Sequence, residues 1–140
     1  CPPDYPCWGS TMVDEMVEAA RTRFRIDDRR IYVTGLSLGG NGSWMYAIDF
    51  PEKVAAIVPI AGWGEPSRAC AMKAVSTWAF HGDADDIVPV SGSQQMVDAL
   101  LACPADPAPK LTIYPDVGHD SWTQAYETEA LFTWLAAQAK

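Results

Sequence analysis

Three positions in this chain have types and an order that can do chemistry together: Ser37, an aspartate among residues 83–86, and His119. A serine hydroxyl is a weak nucleophile at neutral pH. It needs a base that titrates near pKa 6.5, and that base needs an anion to fix its tautomer and stabilise its cation. Ser37 lies in Gly35-Leu36-Ser37-Leu38-Gly39, directly after the β-branched and aromatic run Ile31 to Thr34 and ahead of amphipathic residues that continue to Asp49. Strand, sharp glycine-flanked turn and helix form a nucleophile elbow, in which the turn lifts the hydroxyl above the carboxyl end of the strand and the glycines let strand and helix approach. The competing reading, a structural serine capping the helix from Gly39 to Phe50, explains the serine but not the acid and base that follow it.

The chain has two histidines. His81 precedes Gly82 at a strand end, where a bond to local backbone satisfies it, and it is read as structural. His119 sits in a glycine-flanked turn after the last strand, the place for an exposed base. Among the acids, Asp85 is preferred. Asp83 and Asp86 fit a solvated acidic turn. A calcium loop starting at Asp83 is rejected, because Ile87 and Gln94 stand where that loop needs an oxygen ligand and a glutamate.

The elements that must hold these residues follow from pattern. Residues 1–9, rich in proline, form an extended lead-in. Ser10 or Thr11 caps a helix with Val13, Met16, Val17, Ala20 and Phe24 on one face. Val54 to Ala61 is a strand buried on both faces, Gly62 to Met72 is irregular with room for one helical turn, and Ala74 to Phe80 is the next strand. A helix capped by Ser91 buries Met96, Val97, Leu100 and Leu101. Leu111 to Tyr114 is the last strand, and Thr123 to Gln138 one helix with Tyr126, Ala130, Leu131, Trp134 and Leu135 inward. This alternation predicts an α/β fold of three layers, a mostly parallel sheet of about four strands with helices on both faces, in a single domain over 1–140. Ligands then meet the carboxyl ends of the strands, where Ser37, Asp85 and His119 gather.

Composition narrows the partners. An apolar fraction of 49% with six tryptophans indicates a core-forming protein, and a net charge of -8 argues against nucleic acid or an anionic membrane surface. The longest apolar run, Val54 to Trp63, contains Pro59 and is too short to span a bilayer. Four cysteines, Cys1, Cys7, Cys70 and Cys103, lack paired metal-ligand spacing and are read as ordinary thiols, with a Cys1–Cys7 loop as the alternative. The chain opens at Cys1 with no visible leader, and its compartment stays open.

The blocks GLSLGGNGSW, FPEKVAAIVPIAG, FHGDADDIVPV and YPDVGHDSWTQAY resemble, in order and spacing, the α/β-hydrolase superfamily, and most closely its predicted peptidases and small carboxylesterases near the feruloyl esterase and polyhydroxybutyrate depolymerase groups. The resemblance implies Ser37 as nucleophile, Asp85 as acid, His119 as base and the Leu38 N–H as half of the oxyanion hole. It places Trp122 in a substrate pocket or in plain core. It implies a serine hydrolase for small carboxylic esters with no cofactor and no metal. A peptidase or feruloyl-type esterase with the same triad, and a non-catalytic hydrolase-derived binding module, are the alternatives. In that family a block of strands precedes the lead-in and a His-Gly type loop there gives the second oxyanion donor. Their absence here implies a weakened oxyanion hole, an exposed edge on the Ile31 to Thr34 strand, and self-association into a homo-oligomer through that edge.

Overall fold

The computed structural model describes residues 8–140, so the alternative Cys1–Cys7 loop and most of the lead-in lie outside the described residues. Four strands, β1 (Tyr32–Leu36), β2 (Ala56–Ile60), β3 (Ser76–Gly82) and β4 (Lys110–Tyr114), form one sheet in the order β1-β2-β3-β4. Every neighbouring pair is parallel, with Tyr32 beside Ala56, Ile60 beside Phe80 and Gly82 beside Tyr114. A parallel pair needs a crossover, and these are α2 (Leu38–Asp49), a 3-10 helix (Pro66–Met72) and α3 (Ser91–Ala102).

Each crossover advances one strand in the same direction, so right-handed connections put all three on one face. There Trp44, Tyr46, Met72, Met96 and Leu100 pack on Ile57 and Ala79, with α1 (Ser10–Arg23) at the flank through Val13 and Val17. After β4 the chain returns across the opposite face as α4 (Trp122–Glu127) and α5 (Glu129–Ala137), burying Ala125 and Leu131 against Val58, Ile60 and Phe80. β2 is fully buried, as its continuous apolar run predicts, with strands on both edges and helices on both faces. The expected three-layer α/β architecture is the one observed.

Four local expectations are corrected. Helix α1 buries no residue: Met16 is 58% and Phe24 69% exposed, because α1 packs on α2 at the margin of the sheet and nothing among the described residues covers its far side. The single last helix is two, broken at Thr128, whose backbone is extended; Ala130 then faces solvent. Leu101, expected inward on α3, is 58% exposed, since Met96, Val97 and Leu100 already fill the stripe that meets the sheet. Cys70 and Cys103 are not thiols but a disulfide with Cα atoms 5.7 Å apart, joining the 3-10 helix to the end of α3. Thirty-three residues of separation made the pair invisible to spacing arguments, and closing a loop of that size stabilises by about 3–4 kcal/mol through the unfolded chain.

Candidate active site

Between the last residue of β1 and the first of α2 stands one residue, Ser37, and it alone turns the chain. Its backbone is held at φ 54°, ψ −116°, a region that L residues other than glycine avoid at a cost of about 1–3 kcal/mol. Two backbone bonds enforce it: Ser37 N–H donates to Ile60 O at 2.9 Å, and Asn41 N–H donates to Ser37 O at 3.1 Å. The hydroxyl makes no capping bond to the helix, which removes the structural-cap reading.

The glycines divide the work differently from the motif-level expectation. A Cβ on Gly35 would lie 2.3 Å from Gly39 O, so Gly35 does permit strand and helix to touch. Gly39 itself has nothing within 4 Å of a Cβ among the described residues. The second close approach is made by Gly40 and Gly62, where a Cβ on Gly40 would meet Ile60 O at 2.7 Å.

Across the sheet, the β3 and β4 loops bring an acid and a base to this hydroxyl. His119 Nε2 lies 2.9 Å from Ser37 Oγ, and His119 Nδ1 lies 2.7 Å from Asp85 Oδ2. A carboxylate only accepts, so Nδ1 carries the proton and Nε2 presents its lone pair to the Ser37 O–H. The Asp85 side chain is fully buried, and its Oδ1 accepts the N–H groups of Ile87 and Val88, each at 2.9 Å. Burial pushes the carboxyl up, but the bond from His119 and the two backbone donors outweigh it and hold Asp85 below the usual aspartate value. Asp85 is thus the one aspartate of residues 83–86 that bonds to His119.

The two loops are clamped to each other. Ala84 N–H donates to Val117 O, and a Cβ on Gly82 would fall 2.1 Å from that same oxygen. Asp83 is exposed, yet its Oδ1 accepts the Asp116 N–H at 2.7 Å; it fastens the His119 loop, a role the solvated-turn reading missed. Trp122 stands edge-on to the His119 ring, centroids 5.2 Å apart, and is partly buried against the cluster that holds Val58 and Phe80, so it walls one side of the imidazole.

His81 is fully buried, with Nε2 2.9 Å from Val88 O, the local backbone bond expected of it. It also makes contacts that sequence reasoning missed, to Ser93 Oγ at 2.8 Å and to Asp85 Oδ2 at 3.2 Å. The signal was available as the four-residue spacing of His81 and Asp85, but across a strand end that spacing carries no fixed geometry.

Leu38 is the first residue of α2, so its N–H lies ahead of the helix's own hydrogen-bond ladder, next to Ser37. On the outer side of β1 a groove of about 660 Å³ runs from Ser37, Leu38 and Gly39 along Val33 and Leu36 to Val13, Met16 and Val17 of α1. Among the described residues no strand pairs with that edge of β1. Among them, too, no group of three or more His, Cys, Asp and Glu side chains is arranged to hold a metal ion.

With this geometry in view, comparisons with known proteins agree on a class. A family model described as phospholipase/carboxylesterase matches residues 9–135. A bifunctional acetylxylan esterase/xylanase of Neocallimastix patriciarum is 27% identical over 134 residues, covering 91% of this chain and 18% of that protein. The crystal structure of a thermostable esterase superposes with a TM-score of 0.89 and 30% identity over 100% of this chain and 42% of its own. That of esterase PE8, 21% identical with a TM-score of 0.73, shares the fold over 89% of this chain and 59% of its own. The chain therefore spans only part of the length of each of these relatives.

Proposed function

The chain belongs to the phospholipase/carboxylesterase family of α/β-hydrolases, and from that membership together with its site we propose that it hydrolyses small carboxylic esters through an acyl-enzyme on Ser37. The observation that carries the reading is the unbroken relay from Ser37 Oγ through His119 to the buried Asp85 carboxylate, 2.9 Å and 2.7 Å per link.

In this reading Ser37 Oγ attacks the ester carbonyl while His119 Nε2 takes its proton, and the imidazolium so formed is stabilised by Asp85. The carbonyl oxygen gathers negative charge beside the Leu38 N–H. As the tetrahedral adduct collapses, His119 returns its proton to the departing alkoxide, and an alcohol leaves. Water then enters, loses a proton to the same nitrogen and attacks the acyl carbon, releasing the acid and restoring the serine. The strained Ser37 backbone supports the assignment, because a helix cap needs no such conformation.

The test is turnover of p-nitrophenyl acetate and covalent labelling by a fluorophosphonate, for the native chain and for Ser37→Ala and His119→Ala. Loss of about 10⁵- to 10⁶-fold in kcat is expected for either variant, with labelling abolished in the first. Native turnover no faster than that of the two variants would remove the enzymatic reading.

A further inference from the structure

The reaction as written uses His119 and leaves the other histidine idle. His81 is nonetheless fully buried, and its imidazole joins four segments at once: β3, which carries it, the 83–88 loop through Val88 O and Asp85, the start of α3 through Ser93 Oγ, and the end of β2 through Ser93, whose hydroxyl lies 3.2 Å from Gly62 O. A histidine that merely filled a core position would need one bond to each nitrogen. This one has two acceptors crowded on the same nitrogen.

Val88 O lies 2.9 Å and Asp85 Oδ2 3.2 Å from His81 Nε2. Neither a carbonyl nor a carboxylate donates, so Nε2 must carry the proton, and that one N–H faces both. Nδ1 lies 2.8 Å from Ser93 Oγ, whose hydroxyl also has Gly62 O as an acceptor at 3.2 Å. Val88 N–H in turn donates to Asp85 Oδ1, so the peptide groups on either side of Val88 are tied one to the carboxylate and the other to the histidine. Asp85 Oδ2 is shared between two imidazoles, His119 Nδ1 at 2.7 Å and His81 Nε2 at 3.2 Å.

We propose that His81 is a positioning residue for the hydrolytic site: its single Nε2–H holds the Asp85 turn closed through Val88 O and draws part of the Asp85 charge away from His119. It acts through Asp85 and touches no substrate. The inference rests on the reading of Ser37, His119 and Asp85 given above. Without His81 the turn loses its inner anchor, and Oδ2 turns its whole charge onto His119, favouring the imidazolium. The other charged groups of these loops do not replace it. Asp83 and Asp86 are exposed on the same turn, Asp116 and Asp120 are exposed on the His119 loop, Asp83 accepts from Asp116 N–H, and Asp120 accepts from Thr123. α3 and the end of β2 contribute Ser93 and Gly62 O, neither charged.

The test compares native chain, His81→Leu and His81→Gln by kcat and kcat/KM against pH on p-nitrophenyl acetate, with thermal melting to establish folding. His81→Leu is expected to lower plateau kcat about ten- to a hundredfold, the scale of one hydrogen bond to a charged group, with KM little changed. Its acid limb is expected at higher pH than that of the native chain. His81→Gln, which keeps an N–H, recovers most of both. A folded His81→Leu whose kcat lies within twofold of native and whose acid limb does not move overturns the proposal. Histidine ¹⁵N spectra of the native chain decide independently of folding of the variants and of activity: His81 protonated at Nε2 supports the proposal, and a neutral ring protonated at Nδ1 alone overturns it. Failure of the hydrolytic reading itself has a different signature, native turnover no faster than that of Ser37→Ala.

Discussion

The two flanks of Ser37 are built to opposite standards. Toward β3 and β4, each oxygen of the Asp85 carboxylate has partners, both nitrogens of His81 and of His119 are engaged, and two loops are fastened by Ala84, Asp83 and the close approach at Gly82. Toward the outer edge of β1 there is a groove lined by Val13, Met16, Val17, Val33 and Leu36, with Leu36 40% exposed. The difference separates two tasks. Proton transfer needs atoms held to a fraction of an ångström, which only a saturated hydrogen-bond network in a dry surround supplies. An apolar groove fixes no direction, so it constrains shape and little else.

The sharpest way to break the contrast is to leave the closed flank its shape and invert its proton. Asp85→Asn is nearly isosteric, yet an amide can present N–H to His119 and force the proton onto Nε2, where it faces the Ser37 oxygen in place of a lone pair. A fall of about 10⁴ in kcat is expected, with KM and melting temperature far less affected. A drop below tenfold would show that Asp85 does not set the tautomer and that the order of the closed flank is merely structural.

Next in size is Gly35→Ala, at the seam between the flanks. The added methyl carbon would stand 2.3 Å from Gly39 O and 2.4 Å from its carbonyl carbon, both backbone atoms that cannot turn aside. Destabilisation of about 3 kcal/mol or more is expected from urea unfolding. A variant as stable as the native chain would mean that the elbow tolerates separation of β1 from α2.

Legibility in the sequence followed the same division. Ser37, Asp85 and His119 could be named because each sits in a turn whose local chemistry announces it: a strand-to-helix elbow, an acidic turn before Val88-Pro89, a glycine-flanked histidine. The parallel sheet was legible because alternating strand and helix patterns permit few topologies. What went unread depended on distant partners. Cys70 finds Cys103 only once the 3-10 helix lies on α3; Gly62 is needed because Gly40 arrives against it; His81 matters to Asp85 through a carbonyl at Val88. Met16 and Phe24 fit the apolar stripe of α1, but a stripe says what a helix could bury, and this one has no neighbour on that side among the described residues.

The closed flank also has a signature in stability against pH. Because Asp85 is held below the ordinary carboxyl value of 3.8, the unfolded chain binds that proton more readily than the folded one. The stabilisation is complete well above 3.8 and is lost as the pH falls through the folded value, so stability rises with pH in that acid window. Urea midpoints measured from pH 6 down to 3 are expected to fall less steeply in Asp85→Asn than in the native chain. Parallel curves would place the acid sensitivity elsewhere, with Asp49 the next candidate, since Ser10 and Arg68 hold it low against the upward push of burial.

The smallest effect belongs to the open flank. Gly39 lies in the first turn of α2, its φ is not positive, and nothing among the described residues stands within 4 Å of an added Cβ. Alanine there costs no contact and removes backbone freedom from the unfolded chain, so Gly39→Ala is expected to raise stability by about 0.5–1 kcal/mol. Set beside Gly35→Ala, it reads the same methyl on two sides of one turn, with opposite sign. If Gly39→Ala instead lowers the urea midpoint, the space above Gly39 is occupied in the folded molecule, and the flank that looks open is closed by something that the methyl displaces.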